Sequence, residues 1–204
     1  MEETIDIIMP VFKRTVHTDK AIERLKQFTN NYNLILIEKK QSAAKNINEG
    51  LKQVKSKWFV IMDDDCWVTP NWLETLKSYR NDSIGQIQPR VLFPFNRMWS
   101  AEINSRFLPV GQFDIDIEDY RYIREAPMLT GICGLYNSEI LNKGIKQDEA
   151  FVKSQFNDID FSTQIKKSGL KLLYCGKADV IHSRFLITQN DINKQYFKAK
   201  WGIN

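Results

Sequence analysis

Two familiar glycine cradles for phosphate are missing from this chain. Its nine glycines form neither a GxxxxGKS/T loop nor a GxGxxG turn, which weighs against kinase, ATPase and dehydrogenase chemistry. Cysteine is equally sparse. Cys66, Cys133 and Cys175 are odd in number and never spaced as CxxC. Neither a disulfide framework nor a zinc site is expected, and a reducing, cytoplasmic setting fits best. Histidine occurs only as His17 and His182. No apolar run approaches the ~20 residues that span a bilayer, and the acidic opening Met1-Glu2-Glu3-Thr4 is unlike a secretory signal. Without a transmembrane segment, any membrane contact would be peripheral. The formal charge of +4 is small and the Lys and Arg residues are scattered, which argues against nucleic acid as a partner. Repeats, low-complexity tracts and Pro/Gly-rich linkers are absent too.

What is present is an ordinary globular composition, 43% hydrophobic and 26% charged over 204 residues, enough for one domain with a sizeable core. Ile5-Asp6-Ile7-Ile8-Met9 reads as a strand stopped at Pro10, and Ala21, Ile22, Leu25 and Phe28 then recur at helical spacing. A second strand over 34–37 ends at Glu38, and Ala44, Ile47, Leu51 and Val54 mark a second helix. The run Trp58-Phe59-Val60-Ile61-Met62 completes a βαβαβ unit. Strands buried on both faces and alternating with helices imply an α/β fold with a mostly parallel sheet, whose ligands bind beyond the carboxyl ends of the strands. Pro10, Glu38 and Asp63 all fall at such ends. Thr69-Pro70 suits a helix start, and residues 84–93 suit a strand. Residues 94–127 show no clear period, and 128–136 alternate small and apolar residues as a strand or close-packed turn would. Asn157-Asp158-Ile159-Asp160 opens a helix that stops at Gly169. Two short strands, 170–174 and 179–181, lead to His182, and 191–201 is amphipathic.

The strongest chemical signal is Asp63-Asp64-Asp65, directly after a buried strand. Adjacent like charges repel, and a divalent cation with oxygen ligands relieves that repulsion; alternate members, Asp63 and Asp65, could face one site. A solvated acidic turn is the plain alternative. Because hard cations bridge carboxylates and substrate phosphates, a bound cation implies a diphosphate and hence a nucleotide. His182 could add an imidazole, tilting the choice from Mg²⁺ toward Mn²⁺. Asp158 and Asp160 lie in the first turn of a helix, where the macrodipole alone would explain them. Asp158 could also take a proton from an acceptor hydroxyl if burial or the acceptor raised its pKa. Glu38 could bond a base or ribose edge, and Arg14 and Lys45 could meet phosphates or the base. Trp67 and Trp99 could stack on a sugar ring.

Taken in order, these residues resemble the GT-A glycosyltransferases of glycosyltransferase family 2. Ile7-Ile8-Met9-Pro10-Val11-Phe12 is similar to the family's opening strand and proline turn. Ala44-Lys45-Asn46 with Gly50 is similar to its Ala-Arg-Asn helix, and Asp63-Asp64-Asp65 to its DXD motif. Leu129-Thr130-Gly131, Asn157-Asp158-Ile159-Asp160-Phe161, Val180-Ile181-His182 and Lys200-Trp201-Gly202 continue the resemblance across nearly the whole chain. It implies a single GT-A domain over 1–204, with a nucleotide-sugar-binding half (1–95) and an acceptor and catalytic half (96–204). It further implies Asp65, Asp63 and His182 on Mn²⁺ or Mg²⁺, Asp158 as catalytic base, and a donor site lined by Pro10, Val11, Phe12, Arg14, Glu38, Lys45, Asp63 and Asp64. Three departures stand out. Glu38 replaces a usual Asp, Lys45 replaces Arg and loses its bidentate geometry, and Asn157 replaces the Glu of a Glu-Asp pair, which bears on how the pKa of Asp158 is tuned.

The expected activity is an inverting, metal-dependent transfer of a hexosyl or deoxyhexosyl group. The donor would be a UDP-, dTDP- or GDP-sugar and the acceptor a hydroxyl on a glycan or other molecule, met near Trp67, Trp99, Gly131 and Trp201. A sugar nucleotidyltransferase and a non-catalytic nucleotide-sugar-binding domain are the alternatives. The first would carry a glycine-rich, Arg-containing loop after the first strand, which this sequence lacks.

Overall fold

Strand β1 (Ile5–Val11) is buried along its whole length. Ile5, Ile7, Met9 and Val11 join one core cluster and Ile8 another, so the strand is covered on both faces. The structure, a computed structural model, describes residues 3–115, 117–152, 155–184 and 191–203. β2 (Tyr32–Glu38) and β3 (Trp58–Met62) flank β1 in parallel. The other strands are β4 (Cys66–Val68), β5 (Ile84–Phe93), β6 (Arg97–Ser100), β7 (Ile123–Glu125), β8 (Cys133–Asn137) and β9 (Lys171–His182). The sheet order is β2-β1-β3-β8-β5-β9-β4, with β6 on β5 and β7 on β9. β5 and β9 are parallel, whereas β8 and β4 run against their neighbours. The result is a single α/β domain with a mixed central sheet.

Helices cover both faces. α1 (Val16–Phe28) and α3 (Trp72–Lys77) contribute Ala21, Leu25, Trp72, Leu73 and Leu76 to the first cluster. α2 (Ala43–Leu51), α4 (Glu139–Asn142) and α5 (Asn157–Lys167) contribute Ile47, Leu51, Ile140, Phe161 and Ile165 to the second. α6 (Asp191–Trp201) packs Phe197 against Ile103, Phe151 and Ile159 in a third. Among the described residues no helix is long and apolar enough to cross a membrane.

Sequence periodicity places several boundaries differently. β1 does not stop at Pro10 but continues to Val11. Val11 O faces β2, where it accepts from Lys39 N, so by alternation Pro10 faces β3. Pairing with β3 ends at Ile8, and the absent proline N–H therefore costs no ladder bond. α3 begins at Trp72 rather than at Thr69-Pro70, because the Thr69 hydroxyl donates to Asp179 O at 2.7 Å instead of capping a helix. The two short strands expected over 170–181 are one strand, β9, with a register irregularity opposite Pro89/Arg90. Gly176 lies in that irregularity and donates to Tyr122 O at 2.9 Å; a Cβ there would sit 2.0 Å from Tyr120 O.

A buried ion pair anchors the aperiodic 94–127 segment. Arg90, with no exposed side-chain surface, grips Asp179 through Nε (2.8 Å) and Nη2 (3.0 Å) and donates through Nη1 to Ile117 O. Removing Asp179 would take from the buried guanidinium its bidentate partner, whereas Asp179 without Arg90 would keep Arg121 at 3.2 Å.

Candidate active site

The carboxyl ends of β1, β2 and β3 open on one edge of the sheet. Buried Asn46 stitches two of them together, donating to Val11 O (3.3 Å) and Lys39 O (3.0 Å). Val11 ends β1 and is buried, as is Pro10, whereas Phe12 is exposed. Glu38 closes β2 with its side chain exposed, and Lys45 is exposed in the first turn of α2, which Ser42 caps. Arg14 pairs with Asp19 at 2.7 Å, and that carboxylate raises the guanidinium's pKa, with Glu38 a smaller contributor.

The acidic triplet occupies the link from β3 to β4. Asp63 N donates to Ile132 O (2.8 Å) and Cys66 N to Asp63 O (3.1 Å), which folds the link into a tight turn. Because β4 pairs with the end of β9, Cys66 lies opposite His182. His182 Nε2 comes within 3.3 Å of Asp65 Oδ1. One ligand atom each from Asp63, Asp65 and His182 lie within 4.8 Å of one another, a group that could hold a metal ion. The donor set fits: two carboxylates and an imidazole suit Mn²⁺ and similar ions better than Mg²⁺. Among the described residues His182 Nδ1 is buried with no hydrogen-bond partner, an unmet polar atom for which a functional role is one explanation.

The three carboxylates are electrostatically distinct. Burial pushes the Asp63 carboxyl well up, and the negative charges of Asp65, Asp64 and Asp158 push it further. Burial also raises Asp64, against the Thr18 hydroxyl, which donates to it at 2.8 Å, and the charge of Arg184. For Asp65 burial is overcome by His182 and Arg184, which hold its carboxyl below the usual range. Arg184 binds both, Nε to Asp65 Oδ2 (2.7 Å) and Nη2 to Asp64 Oδ1 (2.9 Å). Ser183 joins the same cluster, its N and Oγ both donating to Asp65 O at 2.9 Å, while His17 Nδ1 lies 2.8 Å from Ser183 Oγ. His17 sits in the first turn of α1.

Asp158 lies in the first turn of α5, near enough for its charge to act on Asp63. It accepts from Gly131 N (3.2 Å) and Ile159 N (2.9 Å). Burial raises its pKa in spite of these bonds, which favours a role as a base. Gly131 is tightly bound to this arrangement, since a Cβ there would sit 2.9 Å from Asp158 Cβ. Asp160 serves a different purpose: fully buried, it accepts from Trp201 Nε1 (2.8 Å), Lys200 (2.9 Å) and Gln164 (2.7 Å). Trp201 is thus tied to the α5 terminus, two residues from Asp158. Trp99 meets the His182 ring edge-on at 5.5 Å, and Trp67 stacks on His17 at 6.0 Å.

Arg184, Thr18 and Ser183 were not signalled by the sequence. A lone Arg two residues beyond a strand carries no motif, and Thr18 reads only as the partner of Thr15 in a capping box.

A mixed α/β sheet with an acidic turn and a histidine at one edge defines the class by its architecture: this is the GT-A fold. The structure is similar over 97% of this chain to a crystal structure of GalNAc-T7 with UDP, GalNAc and Mn²⁺, at a TM-score of 0.69 and 12% identity. This chain spans 50% of that one. No curated protein matches by sequence. The model of Glycosyl transferase family 2 matches residues 13–144, and the chain belongs to that family. Family and fold together support a glycosyltransferase.

Proposed function

We propose that the protein is an inverting, metal-dependent glycosyltransferase that moves a hexosyl or deoxyhexosyl group from a nucleoside-diphosphate sugar to an acceptor hydroxyl, in glycan or polysaccharide synthesis. The observation that carries the reading is the convergence of Asp63, Asp65 and His182 beside Asp158, whose carboxyl burial raises. Asp65, His182 and Asp63 would hold Mn²⁺ or Mg²⁺, which when bound would supply positive charge to offset the negative charge of the diphosphate leaving group. Pro10, Val11, Phe12, Arg14, Glu38, Lys45, Asp63 and Asp64 line the donor site within the half formed by 1–95. Asp158 accepts the acceptor's hydroxyl proton as the oxygen attacks the anomeric carbon and the bond to the diphosphate breaks, inverting that centre. Trp99, Gly131 and Trp201, in the half formed by 96–204, border the acceptor together with Trp67 from the other half. We assign the protein to a reducing compartment, with which its three buried, unpaired cysteines agree.

A thermal-shift panel of UDP-, dTDP- and GDP-sugars tests the donor site. Stabilisation should require Mn²⁺ or Mg²⁺, and stabilisation that survives EDTA would remove the metal from the reading. In Asp158→Asn, transfer should fall by about 10²–10⁴-fold with donor binding kept; retained turnover would refute the base assignment.

A further inference from the structure

Each oxygen of Asp65 has its own neighbour. Oδ1 faces His182 at 3.3 Å, and Oδ2 accepts from Arg184 at 2.7 Å. Arg184 also holds Asp64 Oδ1 at 2.9 Å, and Asp64 Oδ2 is fixed by the Thr18 hydroxyl at 2.8 Å. Asp64 is therefore the anchor that keeps a guanidinium against the metal-site carboxylate. We propose that Arg184 couples cation binding to nucleotide binding. Paired with Asp64 and Asp65 it opposes entry of a divalent ion, and a nucleoside diphosphate arriving with that ion offers it a replacement anion. The inference rests on the metal site proposed above.

The charges carry the argument. A divalent cation among Asp63, Asp65 and His182 would share the Asp65 carboxylate with a fixed positive charge, and the repulsion is weakly screened at a site where Asp65 is 8% exposed. A diphosphate reverses the balance, because it adds negative charge where the guanidinium can reach it. The guanidinium fork matches phosphate oxygens as well as it matches carboxylates. Arg184 can be reached by a diphosphate, since its side chain is 36% exposed, and Thr18 still holds Asp64 if the guanidinium changes partners. Cation and nucleotide should consequently bind as a pair, each weakly alone.

Calorimetry on the full chain tests this, with Mn²⁺ alone and with UDP, dTDP and GDP each titrated with and without Mn²⁺. The variants are Arg184→Gln, Arg184→Met, Arg184→Lys and Asp65→Asn. Arg184→Gln and Arg184→Met should bind Mn²⁺ alone on the order of tenfold more tightly than wild type. The same two variants should bind the nucleotide with Mn²⁺ on the order of tenfold more weakly. Arg184→Lys, which keeps the charge, should stay near wild type for Mn²⁺ alone. The opposed signs are the signature, since a structural Arg184 would weaken both ligands together. Unchanged or weaker Mn²⁺ affinity in Arg184→Gln and Arg184→Met, with Asp65-dependent binding in wild type, overturns the coupling and leaves the metal site standing. Mn²⁺ binding indifferent to Asp65→Asn, or no Mn²⁺-dependent binding of any of the three nucleotides, overturns the site and this inference with it.

Discussion

Gln88 offers a direct measure of how the candidate base is held in place. It is fully buried in β5. Its amide nitrogen donates to Ala101 O at 2.8 Å, and its oxygen accepts from Thr130 N at 2.6 Å and Thr130 Oγ1 at 3.1 Å. Thr130 precedes Gly131, whose N–H donates to Asp158. Gln88→Leu keeps roughly the same volume and removes all three bonds. The Thr130 hydroxyl can rotate to another acceptor, but Ala101 O and Thr130 N–H lose their Gln88 partner in the interior. At ~1–3 kcal/mol for each unsatisfied buried group, the variant should lose roughly 2–6 kcal/mol, a large part of the ~5–15 kcal/mol that stabilises a domain. Gln88→Glu should fare no better: it can still accept from Thr130, but it sets an unpaired carboxylate against Ala101 O. Urea denaturation followed by tryptophan fluorescence measures the loss. In folded Gln88→Leu, kcat should fall further than Mn²⁺-dependent nucleotide affinity, because Gly131, next to Thr130, donates to the Asp158 carboxylate itself, whereas Asp63 meets this segment only through its backbone N–H on Ile132 O. A loss below ~1 kcal/mol, or nucleotide affinity that drops in step with kcat, would refute this reasoning.

Asp6 should contribute to the acid limb of stability. Burial pushes its carboxyl up, but bonds from Asn33 and the Lys55 and Ser56 N–H groups outweigh burial and hold it below the usual range. A folded pKa below the unfolded one gives a contribution that is full above ~4 and is lost as pH falls through the folded value. Asp6→Asn should therefore shift the urea midpoint at pH 7 and scarcely at pH ~2; equal shifts at both would contradict the hydrogen-bond account. Gly50→Ala should destabilise, since the new Cβ would lie 2.5 Å from Ile8 Cγ2. Overpacking of ~1–3 kcal/mol outweighs the gain in helix propensity of up to ~1 kcal/mol. The penalty should shrink on an Ile8→Ala background, and its persistence there would place the strain elsewhere.

The first half of the fold was legible because its strands are continuous apolar runs and its helices show a 3.6 period. The second half was less so. β9 seemed to be two strands because Gly176-Lys177 interrupts its apolar pattern, and only the approach of the 120–122 backbone explains the glycine. β6 and β7 are four and three residues long, too short for alternation to show, and the 94–127 segment owes its position to Arg90, an isolated charge in the sequence. At the site, the triplet, His182 and Asp158 could be named because each falls at the end of a periodic element. Arg184 and Thr18 could not, because what distinguishes them is reach across the fold.

The pairing of β4 with β9 also orders events during synthesis. Arg184 and Asp65 lie 119 positions apart, so at ~5–20 residues per second the ribosome makes the triplet on the order of ten seconds before its basic partner. Throughout that interval the strand destined for the sheet's edge carries three uncompensated negative charges at its start. Charge at an edge strand disfavours joining the wrong neighbour, so the triplet that precedes β4 should disfavour its mispairing until β9 has been made.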